Sequence, residues 1–209
     1  MAVSATCAIV AAQRDDRPGF YLFKPLTTLI ILVGAAWLIR PAPAPYRALV
    51  VVGLAFSLGG DILLMLPGGR MTGGVAAFLG AQLAYIAAFS LGNPVTLPQL
   101  PWLVPFVAFG GAVVADRWRA LGKLRIPFVV YGLAVCAMAW RAAMRGQSPL
   151  IPRQTFLCGA VGACLFLVSD GVVALRRFGR SFPAAQPVEL STYWAAQFLI
   201  ALSVQATID

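Results

Sequence analysis

The stretch ALVVVGLAFSLGGDILLML at residues 48–66 and the stretch TFLCGAVGACLFLVSDGVVAL at residues 155–175 decide the fold of this 209-residue chain. Each is long enough to cross a bilayer as an α-helix, since about 20 apolar residues span the hydrocarbon core. Each also holds one aspartate, Asp61 or Asp170, about five residues before its end. A carboxylate inside a membrane is costly and is therefore a functional candidate by default.

The rest of the chain has the same character. It is 60% hydrophobic and 11% charged, with a mean hydropathy of +0.85, whereas soluble domains are about one quarter charged. Further apolar stretches lie at residues 22–39, 72–91, 101–115, 126–144 and 190–207. The pattern predicts an all-α, polytopic transmembrane bundle of seven to eight helices, forming a single integral membrane domain over residues 1–209.

Residues 1–12 are too few to span and are expected to form a partial or interfacial first segment. Pro105 makes the ends of 101–115 the least certain.

Basic residues in the connecting segments predict the orientation of these helices. We call side A the side on which the stretch 22–39 begins, and side B the opposite side. Eleven basic residues belong to side A: Arg14, Arg17, Lys24, Arg70, Arg117, Arg119, Lys123, Arg125, Arg176, Arg177 and Arg180. Five belong to side B: Arg40, Arg47, Arg141, Arg145 and Arg153. The excess assigns side A to the cytoplasm of a cell membrane, in bacteria the inner membrane. The net charge of +9 therefore indicates a lipid bilayer as partner and not nucleic acid.

The absence of histidine excludes several kinds of site. The chain has no imidazole for zinc or haem, and no Ser-His-Asp triad can form. Its four cysteines lie in apolar runs without a CxxC pair and are expected to be packing residues. We expect no metal and no other cofactor.

Polar residues within the apolar stretches converge towards side A. With a rise of about 1.5 Å per residue, each aspartate lies roughly 7 to 8 Å from the side A end of its helix. The other candidates for one shared site come from four more helices: Lys24, Gln82, Tyr85, Tyr131, Tyr193 and Gln197. We expect Asp61 and Asp170 to be catalytic and the others to bind substrate.

Both aspartates follow a Val-Gly pair, at positions 52–53 and 161–162, at the same interval, which predicts a weak internal repeat.

Each candidate also has a structural alternative. The aspartates could accept hydrogen bonds from neighbouring helices, or pair with Lys24, and only hold the bundle together. Lys24 could extend into the headgroups, and the tyrosines could belong to an aromatic belt. Gln82 could serve only as a hydrogen-bond donor.

Two carboxylates in a partly dry cavity can perform acid-assisted hydrolysis, one as the acid and the other directing water, as in glycosidic cleavage. Five segments carry a more specific resemblance: Lys24-Pro25-Leu26, GDILL at 60–64, FLGAQLAY at 78–85, GACLFLVSD at 162–170 and YWAAQ at 193–197. In this order and spacing they resemble the YhhN/TMEM86 family of lysoplasmalogenase-like membrane proteins, over about residues 20–205.

The resemblance implies an enzyme that hydrolyses the vinyl ether bond of lysoplasmalogens, giving a fatty aldehyde and glycerophospho-ethanolamine or -choline. It further implies a lysophospholipid substrate and a site formed by Lys24, Asp61, Asp170, Tyr193 and Gln197. Two features depart from the family: Gln82 stands where a histidine is expected, and the first helix is shorter. The rival interpretations are a small proton-coupled transporter, since intramembrane carboxylates also relay protons, and a noncatalytic membrane scaffold. Headgroup preference, the identity of the acid and the oligomeric state stay open.

Overall fold

Eight α-helices make up most of the computed structural model, which describes residues 1–38, 44–66, 71–179 and 182–204. They are α1 (Ala2–Gln13), α2 (Arg17–Val33), α3 (Ala44–Met65), α4 (Met71–Ser90), α5 (Val104–Leu121), α6 (Arg125–Met144), α7 (Arg153–Arg177) and α8 (Ala185–Leu202). No strand occurs among these residues. The prediction of an all-α helix bundle is therefore confirmed.

Within the described ranges, five helical segments are long and apolar enough to cross a membrane. They are Arg17–Trp37, Ala44–Met65, Met71–Ser90, Leu97–Gln147 and Arg153–Arg177. The first 12-residue segment forms the short apolar helix α1, which packs against α2. The predicted ends of the first and last stretches, at residues 39 and 207, lie outside the described residues, as do Arg40, Arg70 and Arg180.

Helix α2 begins earlier than predicted because the sequence supplies a start signal. The side chain of Asp16 accepts a hydrogen bond from the backbone N–H of Gly19 at 3.1 Å, and Pro18 occupies the first turn. A capping aspartate followed by proline is a preferred helix N-terminus. The early start places Lys24 two turns into α2, so the lysine is part of the bundle and is 8% exposed.

The stretch predicted at 101–115 is really a longer helix that begins and ends later. A 3₁₀ turn covers Leu97–Leu103, and α5 then runs from Val104 to Leu121. Pro105 lies in the first turn of α5, where proline needs no hydrogen-bond partner, so it begins the helix and does not interrupt it. After Gly122, whose φ of +50° favours glycine, α6 returns antiparallel to α5. The Cys136 thiol accordingly bonds to the carbonyl of Phe106.

Each aspartate helix packs most extensively on the helix that follows it, α3 on α4 and α7 on α8. Small residues allow the close approach: a Cβ at Gly53 would overlap the Tyr85 ring, and a Cβ at Gly162 would lie 2.9 Å from the carbonyl of Ala196. This is the packing expected of small residues between membrane helices. The two helix pairs match in order, as an internal repeat requires, but the repeat itself stays a prediction.

At the side B end, two basic residues are buried although they were counted as connecting-segment charges. Arg141 and Arg145 are 2% and 5% exposed. Arg141 donates to Ser90 Oγ at 3.1 Å, to Gln99 Oε1 at 3.2 Å and to the carbonyl of Asn93. Arg145 donates to the carbonyl of Ala88 at 3.1 Å. These arginines hold the C-terminal end of α4, where unpaired carbonyls and the helix dipole favour cations.

Candidate functional site

Asp61 is the centre of a buried polar cluster formed by three helices. Its side chain is 1% exposed. Lys24 Nζ of α2 lies 3.1 Å from Oδ1, while Oδ2 accepts hydrogen bonds from the Thr28 hydroxyl at 2.7 Å and the Tyr193 hydroxyl at 2.8 Å. Lys24 and Thr28 are four residues apart and so share one face of α2. The carboxylate is thus fully partnered, as burial of such a group requires.

Asp170 has fewer partners and lies nearer to open space. Tyr131 of α6 donates its hydroxyl to Asp170 Oδ2 at 2.7 Å. The residue is half-buried, in contrast to Asp61. The adjacent Ser169 bonds to the carbonyl of Glu189 at 3.0 Å and so fixes this part of α7 against α8. The arrangement leaves Asp170 available to a bound molecule.

Both carboxylates line one cavity at the side A end of the bundle. Its volume is about 320 Å³. Its polar lining consists of Tyr21, Lys24, Asp61, Tyr131, Ser169, Asp170, Arg176, Arg177, Gln186, Glu189 and Tyr193. Apolar side chains, among them Phe78, Phe109 and Val113, cover much of the remaining wall. A space of this kind fits a molecule with a charged end and a hydrocarbon chain.

Three of the predicted substrate-binding residues lie outside the lining of this cavity. Gln82, Tyr85 and Gln197 are completely buried further from side A. Tyr85 donates its hydroxyl to Gln197 Oε1 at 2.7 Å. Both amide atoms of Gln82, the amide nitrogen of Gln197 and the hydroxyl of Ser57 lack a hydrogen-bond partner within the described residues. The structure therefore brings Lys24, Asp61, Tyr131, Asp170 and Tyr193 together. It places the other three in an inner cluster, which adjoins the cavity residues Tyr131 and Tyr193.

Two further residues at the cavity were missed as site candidates. Glu189 is 8% exposed and binds the guanidinium of Arg176 through both oxygens, at 2.6 and 3.2 Å. The sequence alone indicates only a topogenic charge at Arg176. The chain has seven acidic residues, and Glu189 lies four residues before Tyr193, on the same face of α8. That spacing was the signal that could have found it. Thr28, four residues after Lys24, could have been found in the same way.

The described part of the chain contains no group of three Cys, Asp or Glu residues that could hold a metal ion. The negative charge of Asp61 is balanced by Lys24 instead. The cluster can therefore supply carboxyl groups, hydroxyl donors and one ammonium to a bound molecule.

Comparison with known proteins agrees with the resemblance seen in the sequence. The YhhN family model matches residues 19–204. An uncharacterized membrane protein YhhN of Escherichia coli is 30% identical over 205 residues, covering 97% of this chain and 95% of the relative. Human lysoplasmalogenase TMEM86B is 33% identical over 208 residues, covering 90% of this chain and 77% of the relative. Bovine lysoplasmalogenase TMEM86A is 34% identical over 182 residues, covering 76% of this chain and 66% of the relative. No solved structure matches the chain. The chain belongs to the YhhN family of membrane proteins.

Proposed function

We propose that this protein is a membrane hydrolase that cleaves the vinyl ether bond of lysoplasmalogens, releasing a fatty aldehyde and a glycerophospho-ethanolamine or -choline. The observation that carries the proposal is that two carboxylates from different helices line one cavity with unequal hydrogen bonding. Relatives named lysoplasmalogenase, at 33 and 34% identity, support the same reaction.

The unequal partners of the two aspartates suggest their roles. Asp61 receives an ammonium and two hydroxyl groups, all of which are donors, so it acts as an acceptor. Asp170 receives one hydroxyl, while its other carboxyl oxygen accepts no hydrogen bond from the described residues, and the residue lines the cavity. We assign proton donation to Asp170. Asp61 orients the water molecule and stabilises the positive charge that forms on the substrate. Tyr131 and Tyr193 hold the two carboxyl groups in place.

The reaction then proceeds in balanced steps. Asp170 transfers its proton to the β-carbon of the vinyl ether, and the ether oxygen supplies electrons to form an oxocarbenium ion. Water adds to the α-carbon and gives up a proton to a carboxylate, which forms a hemiacetal. The hemiacetal hydroxyl then gives its proton to a carboxylate and becomes the aldehyde carbonyl, while the bond to the glycerol oxygen breaks and that oxygen takes a proton from a carboxyl group. The net change is addition of one water, with both carboxyl groups returned to their first state.

The location of the cavity suits a lipid substrate. We place side A at the cytoplasmic face, because most basic residues of the connecting segments belong to it. A lysolipid in that leaflet would keep its polar part near the ends of α2, α7 and α8 and extend its chain along the apolar wall. Side-specific labelling of single cysteines introduced at Arg119 and Arg153 tests this orientation. Labelling of position 119 from outside intact cells would contradict it.

Aldehyde release tests the reaction directly. Purified full-length protein in detergent is given lysoplasmalogen, and the aldehyde is measured for wild type, Asp61→Asn and Asp170→Asn. We expect each substitution to lower kcat by at least about 100-fold, as loss of a general acid or base does. Asp116→Asn is the matched control, because Asp116 of α5 is not part of the cavity lining and pairs with Arg117. Activity that survives both substitutions would refute the assignment.

A second candidate function is proton-coupled transport. It is favoured by a series of buried polar groups that begins at Asp61 and Tyr193 and continues with Gln197 and Tyr85 towards the middle of the bundle. Such a series can relay protons across a membrane. Solute uptake driven by a pH gradient in proteoliposomes, without hydrolysis of any lysolipid, would favour this candidate over the hydrolase.

A further inference from the structure

Arg177 is a cavity residue to which neither the charge count nor the proposed reaction gives a specific role. It lines the cavity together with Asp170, Arg176 and Glu189. Unlike Arg176, which Glu189 binds through two hydrogen bonds, Arg177 makes no hydrogen bond or ion pair within 4 Å among the described residues, and Glu189 attracts it only at longer range. Arg177 is exposed at the side A end of α7. A cation at a cavity edge with its donors free is suited to receive an anion.

The position of Arg177 along α7 is related to that of Asp170. The two residues are seven positions apart, which places them on one face of the helix. The corresponding rise is about 10.5 Å, two helical turns towards side A. Arg177 therefore lies on the wall of the same cavity, nearer to the membrane surface than the carboxyl group of Asp170.

That separation matches the proposed substrate. In a lysoplasmalogen the vinyl ether β-carbon and the phosphorus are separated by a chain of about seven bonds, which extends over roughly 8 to 9 Å. When the β-carbon lies against Asp170, the phosphate reaches the level of Arg177, and the hydrocarbon chain extends in the opposite direction along Phe109 and Val113. Guanidinium groups are well suited to phosphate because their donors match its oxygens in pairs.

We propose that Arg177, assisted by Arg176, binds the phosphate of the lysolipid headgroup and so places the ether bond at Asp170. Glu189 is a positioning residue, since its two oxygens orient the guanidinium of Arg176 beside that phosphate. This proposal rests on the proposed function for the identity of the lipid, but it makes a claim about binding that can be measured without hydrolysis.

The binding experiment uses purified full-length protein and two ligands that cannot be hydrolysed. One is a saturated 1-O-alkyl-lysophosphoethanolamine, and the other is the 1-O-alkylglycerol of the same chain, which lacks the phosphate. We expect wild type to bind the first at least about 10-fold more tightly, and Arg177→Gln to remove most of that preference without weakening binding of the second. Arg177→Lys should restore part of it. Arg119→Gln, an exposed arginine at the same end but outside the cavity lining, is the matched control and should keep it.

The outcomes separate this proposal from the proposed function. Phosphate-dependent binding through Arg177 without aldehyde release from any lysoplasmalogen would uphold the phosphate site and refute the hydrolase. Aldehyde release with equal affinity for both ligands in wild type and Arg177→Gln would refute the phosphate site alone. Displacement of the lipid by free glycerophosphoethanolamine at a similar concentration would show a soluble phosphate ligand and overturn the lipid assignment.

Kinetics distinguish positioning from a merely structural role. For Glu189→Gln we expect KM for lysoplasmalogen to rise several-fold with little change in kcat, because the ether bond and both aspartates are untouched once substrate is bound. Glu189→Asp should restore part of the affinity. A fall in kcat with KM unchanged would contradict the positioning role.

Discussion

The two ends of this bundle both bury charge, but they do so in different ways. At side B, Arg141 and Arg145 donate to carbonyl and side-chain oxygens around the end of α4, and neither lines the described cavity. At side A, Lys24 and Asp61 form a buried pair, and the pair borders open space. A buried charge therefore does not by itself indicate function in this protein. The combination of a buried charge with an adjoining cavity is what distinguishes side A.

Removing Lys24 should have the largest effect of any change that tests this distinction. Lys24→Met leaves Asp61 without its counter-ion, and the loss of one member of a buried ion pair costs roughly 3 to 5 kcal/mol. We expect a large fall in thermal stability in detergent together with loss of aldehyde release. Thermal unfolding followed by circular dichroism, with activity measured on the folded fraction, checks both.

A double variant separates the two effects of this change. Lys24→Met combined with Asp61→Leu removes both charges and should recover most of the stability, because no unpaired charge stays buried. Activity should stay absent. Recovery of activity along with stability would show that the pair only holds the bundle together, as the structural alternative requires.

The side B cluster should behave in the opposite way. Arg141→Met leaves three acceptors without their donor. A hydrogen bond to a charged group contributes about 1.5 to 3 kcal/mol, and the contributions of several bonds made by one side chain do not add in full. We expect stability to fall by roughly 2 to 3 kcal/mol, with KM and kcat of the folded protein unchanged. A specific loss of activity in protein that remains folded would contradict the division between the two ends.

Adjacent glycines in α3 offer a smaller and more local test near the site. A Cβ at Gly60 would lie 2.6 Å from the ring of Phe78. Phe78 borders the cavity and packs edge-on against Tyr193. In contrast, a Cβ at Gly59 would meet nothing within 4 Å. Gly60→Ala should therefore cost about 1 to 3 kcal/mol through overpacking and should lower activity. Gly59→Ala, the matched control, should be neutral or more stable by up to about 1 kcal/mol. Equal effects of the two would show that the Phe78 contact is unimportant.

The sequence predicted the fold, and the end of the bundle at which the cavity lies, better than it predicted which residues line the cavity. Hydrophobic length alone identified the helices, and the direction of each helix placed Lys24, Asp61, Tyr131, Asp170 and Tyr193 at one end. Depth along a helix is a simple sum of rises, so it can be obtained without a structure. The positions of these five residues around the cavity depend on how the helices rotate and tilt, and that depends on packing.

The same reason explains what the sequence did not predict. Gln82 shares a face of α4 with Phe78, yet Phe78 reaches the cavity and Gln82 lies one turn deeper, in the inner cluster. Glu189 and Arg176 were passed over because each was considered alone, and their pairing is a contact between two helices. The burial of Arg141 likewise depends on the α4–α5 connection folding over it. Contacts of this kind have no periodic signal in the sequence.

Substitution of Gln82 should have the smallest effect and gives the sharpest test of where the site ends. Gln82 is completely buried, and both of its amide atoms lack partners among the described residues. An unpaired buried amide costs about 1 to 3 kcal/mol. Methionine has a similar length and no hydrogen-bonding amide. In dry surroundings, Gln82→Met should therefore leave the stability unchanged or raise it by about 1 kcal/mol. Activity should then change less than about threefold, because the residue does not border the cavity.

Loss of stability would show instead that water occupies the inner cluster and satisfies the amide, as buried waters commonly do. A large fall in kcat with stability unchanged would extend the functional site from the cavity into the inner cluster, so that the boundary between the active end and the rest of the bundle would lie deeper than Tyr193.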